Sequence, residues 1–296
     1  MFRSFQASTL SPSGPFPASR REEGPTPKAV RILRWSSGLC ERILASPPEA
    51  GRVHSVFERA LNILWHDGGL ITLHGPGLLA APFAAAVTRL PQTGSVTPGM
   101  VVFRRGKRIL FGPYALDIGG SLLVDTTIHP TDAGPGLLTS VLASTAMPVV
   151  ASGLSSPSGR SAQRHLADGI RNREARTFVE GSCALIGLGE GLTPAGDDCL
   201  VGALAVLSRF APAWLAEQPV IRTAITAGSE ARTTTVAREF LLHALDGSFS
   251  EPVVHLMQAR SAAEAIERIE DLGRMGASSG ADTLWGMRLA MEALSQ

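Results

Sequence analysis

The sequence predicts an α+β protein. A β-rich N-terminal half, antiparallel and either barrel-like or a sandwich, packs on a helical C-terminal half. Three observations predict this. Short apolar runs that end in turn residues fill the first half. Longer stretches with apolar residues three and four apart fill the second. A loop-helix motif also occurs twice within the second half.

Taken in order, residues 1–28 are rich in Pro, Ser and Gly and read as a disordered tail. The fold is expected to start near Ala29, with a short helix over Trp35–Ala45 stopped by Ser46-Pro47-Pro48. Residues 29–130 form the β-rich region. Within it, Val101–Phe103 and Ile109–Phe111 flank Arg-Gly-Lys and read as a hairpin with Gly106 in the turn. Ser121–Thr127 reads as a further strand. The segment Val53–Leu64 is ambiguous, because Val53, Phe57, Ala60, Leu61 and Leu64 also fit a helical stripe.

Residues 131–296 form the helical region. Expected helices are Leu137–Ala143, Ser161–Asn172, Cys199–Phe210, Pro212–Ala227, Thr234–Leu245, Ala262–Leu272 and Thr283–Leu294.

Composition narrows the possible partners. Of 296 residues, 27 are basic and 26 acidic, giving a net charge of +1. That balance argues against nucleic acid and against an anionic membrane surface, both of which select a basic surplus. No apolar run approaches the length of a membrane span, and no secretory h-region opens the chain. Cys40, Cys183 and Cys199 are odd in number and lack C-x-x-C spacing, so a reduced, cytoplasmic protein is expected.

The duplicated motif is the most informative feature. Residues 188–202, LGEGLTPAGDDCLVG, align with residues 272–286, LGRMGASSGADTLWG, at an offset of 84. Six of the fifteen positions are identical, where chance gives about one. The shared pattern is L-G-x6-G-x-D-x-L-x-G. Its glycines suit a tight loop and close backbone approach. Asp198 and Asp282 sit where N-caps of the following helices belong. A helix N-terminus attracts phosphate or carboxylate. Gly202 and Gly286 lie inside the helices, where each costs about 1 kcal/mol relative to Ala. Close packing of the two helices would account for that cost and bring both N-termini to one site. Asp197 and Asp198 are adjacent, so they cannot both cap, and one is free to act as a base, orient a substrate or bind Mg²⁺.

Other candidates are weaker. Arg232-Thr233-Thr234-Thr235 precedes a helix, and Thr234 is a candidate cap and a third wall of the site. Arg59 suits a carboxylate, or pairs with Glu58. His74-Gly75-Pro76-Gly77 lacks the rest of a phosphate loop. Cys199 follows Asp198, yet the second copy has Thr283 there, so the repeat does not demand a thiol. The histidines show no zinc-ligand spacing.

The blocks LIGLGEGLTPAGDDCLVG, TTTVAREFLLHALDGSF and MGASSGADTLWGM, with GRVHSVFERALNIL before them, resemble the AllH family. The likeness runs from about residue 29 to residue 294, and G-L-T-P-x-G-D-D is its most specific part. The resemblance implies a component of a bacterial oxamate carbamoyltransferase, in the anaerobic breakdown of allantoin. Oxalurate and phosphate would be exchanged for oxamate and carbamoyl phosphate, in company with other subunits, one resembling acyl-CoA synthetases. It carries no residue-level mechanism, so site roles rest on the repeat. Asp197, Asp198 and Asp282 are the candidate catalytic residues. Gly189, Gly191, Thr193, Gly196, Ser278, Ser279, Gly280, Arg59 and Thr234 are the candidate substrate contacts. Two alternatives stay open: a non-catalytic docking or structural subunit, and a stand-alone Mg-dependent nucleotide-binding enzyme.

Overall fold

The computed structural model describes residues 27–77, 80–91, 94–146 and 152–296. Most of the expected tail lies outside these residues.

The N-terminal half is built from β1 (Lys28–Ser36), α1 (Ser37–Ala45), β2 (Glu49–Val56), β3 (Ala60–Trp65), β4 (Leu70–His74), β5 (Ala84–Val87), β6 (Val101–Arg105), β7 (Arg108–Phe111), β8 (Tyr114–Asp117) and β9 (Leu122–Val124). The strands run in the order β5-β4-β3-β2-β6-β7-β8-β1-β9, and β1 also pairs with β5. That last pairing closes the sheet, so the half is a barrel and not a sandwich. Most pairings are antiparallel, as the alternating pattern predicts, but β4 with β5 and β1 with β8 and β9 are parallel. First β8 and then β9 lie along β1, so β9 continues the track of β8.

The hairpin centred on Gly106 forms as expected, with Arg104 opposite Ile109 and Gly106 at a φ of 57°. The ambiguous Val53–Leu64 segment is a second hairpin, β2 against β3. Its helical alternative fails because Leu61, Ile63 and Trp65 alternate into the barrel core while Leu64 points out. The early helix begins at Ser37, since Trp35 and Ser36 still belong to β1, and Ser36 caps it by accepting from the Leu39 N–H.

The C-terminal half comprises α2 (Gly136–Ser144), α3 (Ser152–Ser155), α4 (Pro157–Arg171), α5 (Ala175–Leu185), α6 (Ala195–Phe210), α7 (Pro212–Ala216), α8 (Pro219–Arg232), α9 (Thr235–Leu245), α10 (Glu251–Met257), α11 (Ala262–Gly273) and α12 (Ser279–Leu294). The single helix expected over Pro212–Ala227 is two. Pro219 cannot donate to the preceding turn, so α7 stops before it and α8 starts on it. The expected set also omitted α3, α5 and α10.

Each half has its own apolar core. One lines the barrel from Val30 to Ile118, and the other surrounds α6. α6 is buried along nearly all its length, touching α3, α5, α7, α9, α10 and α12. The seam between the halves is polar and aromatic. Glu251 of α10 pairs with Arg34 of β1 and accepts from the Ala80 N–H at 2.9 Å. Phe83 meets Phe240 edge-on at 4.7 Å between ring centroids and stacks on His243 at 5.7 Å.

The two repeat helices pack directly on each other. A Cβ on Gly202 would overlap the Thr283 carbonyl oxygen, and one on Gly286 would overlap the Cys199 carbonyl oxygen. These are equivalent contacts at the offset of 84, so the pair has an approximate twofold relation. Gly202→Ala or Gly286→Ala is therefore expected to cost about 3 kcal/mol by overpacking. Gly38→Ala, where a Cβ meets nothing within 4 Å, should be neutral or gain up to about 1 kcal/mol. Urea unfolding of the three variants measures the contrast, and equal midpoints would contradict the packing account.

Candidate functional site

The two helix starts lie side by side, but their caps differ from expectation. α6 is flanked by Pro194 and α12 by Ser278, and neither has a side-chain cap. Asp198 and Asp282 are each the fourth residue of their helix and not its cap. The helices start early because the glycines of the motif let them. Gly196 presses on the Leu185 carbonyl and Gly280 on the Leu272 carbonyl, so no Cβ fits at either position. The Gly196 N–H is donated to Leu188 O at 2.8 Å, and the Gly280 N–H to Met275 O at 3.0 Å. Both N–H groups are thus already spent inside the protein.

The early start turns the aspartates inward. Asp197, Asp198 and Asp282 are all buried. Asp197 accepts from the Gly187 N–H at 3.1 Å and from the Thr233 hydroxyl at 2.5 Å. Burial nevertheless pushes its pKa up to about 6, against the pull of those two bonds and of Arg232. Asp198 faces the other way, toward Ser279, Thr193 and Asp282. Burial raises its pKa well above the ordinary value. The Ser279 and Thr193 hydroxyls oppose that shift, and the Asp282 carboxyl reinforces it. The Asp198 Oδ2 makes no hydrogen bond among the described residues. Above the carboxyls, the Thr193 and Ser279 hydroxyls meet at 2.7 Å and join the two copies of the motif.

The loop between α5 and α6 covers this pair. Gly187, Gly189 and Gly191 take φ values of 76°, 116° and 99°, which L side chains rarely adopt. Gly189 and Gly191 are exposed. Thr234 caps α9, accepting from the Ala237 N–H at 3.1 Å, and its hydroxyl also donates to the Leu192 carbonyl. The Arg232–Thr235 segment thus lies against the motif, with Thr233 holding Asp197 and Thr234 holding the loop.

Arg59 lies elsewhere. It sits exposed in the turn between β2 and β3, where the Phe57 N–H is donated to Ala60 O at 2.8 Å. Ser278 is half-buried beside Ser279. Cys199 is fully buried, and burial, then Asp282 and Asp198, pushes its thiol up to about 12, which removes it as a nucleophile. Among the described residues no group of three or more His, Cys, Asp or Glu is arranged to hold a metal ion. Asp197 and Asp198 face different hydrogen-bond neighbours. Gly187 and Thr233 were within reach of sequence reasoning as members of the glycine run and the threonine run. Their joint hold on Asp197 was not, because it joins residues far apart in sequence.

A closed barrel joined to a helical half, with paired loop-helix motifs at the centre of the latter, defines a two-part protein with one duplicated polar site. Residues 185–291 match the family model described as oxamate carbamoyltransferase subunit AllH, and residues 28–127 match that described as the AllH family N-terminal domain. The chain belongs to the AllH family, so its family is that of a subunit of a carbamoyltransferase complex. No solved structure matches it. Among the described residues no helix is long and apolar enough to cross a membrane.

The shift of Asp197 gives a test by pH. Its folded pKa, about 6, lies above the ordinary 3.8. The stability it contributes is therefore complete below pH 3.8 and is lost as pH rises through about 6. Asp197→Asn should flatten that part of the unfolding free energy against pH, measured by urea titration at several pH values. Parallel wild-type and variant curves across the window would show that Asp197 is not the titrating group.

Proposed function

We propose that this chain takes part in carbamoyl transfer on a ureido acid such as oxalurate. Oxalurate and phosphate would give oxamate and carbamoyl phosphate, with the anionic group held at the start of α6 and α12. The observation that carries this reading is the Thr193–Ser279 bridge above the buried carboxyls of Asp198 and Asp282. It places two hydroxyls and two helix N-termini around one point, under a loop of exposed glycines.

In this reading the N–H groups of Gly189 and Gly191, with the hydroxyls of Thr193, Ser278 and Ser279, receive phosphate or carboxylate oxygens. Gly196 and Gly280 shape the site by close packing and do not donate to the ligand. Asp198 and Asp282 orient the carbamoyl NH₂. Burial raises the Asp198 pKa, so that carboxyl resists ionisation and tolerates an anion better than an exposed aspartate would. Asp197 positions the loop through Gly187 and Thr233. Catalysis would consist of placement and charge stabilisation. The family description supports the reaction class and the presence of other subunits. An acyl-CoA-synthetase-like partner and a small anionic substrate belong to the same proposal.

The complete burial of Asp282 favours a second reading, in which the motif only pairs helices within a non-catalytic subunit. One variant separates the two. Asp198→Asn, assembled with its partner subunits, is expected to lower kcat/KM for carbamoyl transfer about 100-fold while the complex stays intact. Wild-type turnover accompanied by a shifted melting temperature would decide for the structural reading.

A further inference from the structure

The last strand of the barrel lies open. β9 pairs with β1 along one edge, Leu122 beside Arg34 and Val124 beside Ser36, and with no other strand among the described residues. Outside that ladder the backbone of Leu122–Val124 makes no hydrogen bond among the described residues. A strand paired on one side presents unpaired N–H and C=O groups on the other. Both faces are open as well. Successive side chains of a strand point to opposite faces, yet Leu122 is 62% exposed and Leu123 is 53% exposed. Neither face is therefore covered by the barrel or by the helices.

Edge strands are ordinarily guarded by lysine, proline, a bulge or a covering loop. β9 reads Leu-Leu-Val, with no charge and no proline. Two more exposed leucines adjoin it. Leu33 precedes Arg34 on β1, and Leu44 lies on α1, which touches both β1 and β9. The two ends of β9 differ in charge. At the N-terminal end the Ser121 hydroxyl donates to Ile118 O at 3.2 Å, and the Ile118 N–H is donated to Lys107 O at 3.1 Å. The β6–β7 turn, with Arg105, Lys107 and Arg108, therefore stands beside that end. At the C-terminal end stands Asp125, exposed, with the exposed His129 at 2.9 Å.

We propose that β9 is a self-association edge, on which a second copy of this chain lays its own β9 antiparallel, about a twofold axis through Leu123. In that register Leu122 faces Val124 of the copy, and Asp125 faces Ser121, next to the copy's Lys107. Each end of the strand pair thus meets opposite charge, twice by symmetry. A parallel pairing sets base against base and acid against acid. The contact is isologous and closes at two copies. Strand addition satisfies the open backbone groups, and Leu33, Leu44, Leu122 and Leu123 of each copy supply the apolar part. A nucleic acid is drawn only to the Lys107 end and leaves Leu122 and Leu123 uncovered. The inference concerns assembly and does not depend on the carbamoyl-transfer reading.

Sedimentation equilibrium of the full chain, on its own, is expected to show monomer and dimer with a Kd at or below about 100 μM. Leu123→Lys alters an exposed position and sets two lysines opposite each other across the axis. It should weaken the dimer at least about 10-fold. Val220→Lys, at a residue of α8 that is 50% exposed, should leave the dimer unchanged. Charge reversal tests the orientation. Asp125→Lys and Lys107→Asp should each weaken association up to about 5-fold, and the double variant should recover most of the loss. A monomer at every concentration up to about 500 μM would overturn the proposal. So would a dimer that Leu123→Lys leaves intact, or a double variant that recovers nothing. If Leu123→Lys fails to fold, the charge-reversal pair still decides.

Discussion

Everything distinctive in the helical half follows from one contact made twice. Gly202 lies against the Thr283 carbonyl, and Gly286 against the Cys199 carbonyl. With no side chain between them, the backbones of α6 and α12 approach more closely than ordinary helices. Because the contacts are equivalent, the helices can neither slide nor rotate independently, so their first turns stay level. That registry lets Thr193 of one copy reach Ser279 of the other and puts Asp198 beside Asp282. An alanine at either position would push the helices apart and strain the Thr193–Ser279 hydrogen bond.

The same contact creates an electrostatic conflict. A carboxylate in the first turn of a helix is favoured by the dipole by about 0.3–1 kcal/mol. Full burial opposes ionisation by far more, up to several pKa units. Burial wins at both Asp197 and Asp198, whose pKa values rise despite two helix starts and several hydroxyl and N–H donors. Asp197 and Asp198 are thus held above the ordinary carboxylate range by burial, and the hydroxyls of Thr193, Ser279 and Thr233 moderate the shift without reversing it.

Much of this was legible in the sequence. The fold class followed from periodicity, the hairpin from Arg-Gly-Lys between Val101–Phe103 and Ile109–Phe111, and the helix pairing from glycines placed where only close contact justifies them. The failures have physical causes. Closure of the barrel depends on β1 meeting β5, a pairing that no local pattern encodes. The Val53–Leu64 stripe satisfied two periods at once, and only the neighbouring strands decide between them. The aspartates looked like caps because a cap is local, whereas the actual helix starts are set by distant carbonyls at Leu185 and Leu272. Arg59 attracted a substrate role by chemistry alone, and its position on an exposed hairpin turn was invisible before the strands were paired.

The two copies of the motif are unequal in a way that assigns them different work. At the offset of 84, Asp197 corresponds to Ala281, and Thr193 to Ala277. The first copy alone therefore has a carboxylate that holds its own loop through Gly187 and Thr233. It alone has the exposed Gly189–Gly191 turn, pinned from outside by Thr234. The second copy contributes Ser279 and Asp282 to the shared centre and has Ala281 where the first has the tethering Asp197. Duplication explains the level helix starts, and divergence explains the single ordered loop above them. A symmetric pair would offer two equivalent half-sites. This pair has one polar centre, with its loop supplied by the first copy and its far side by the second.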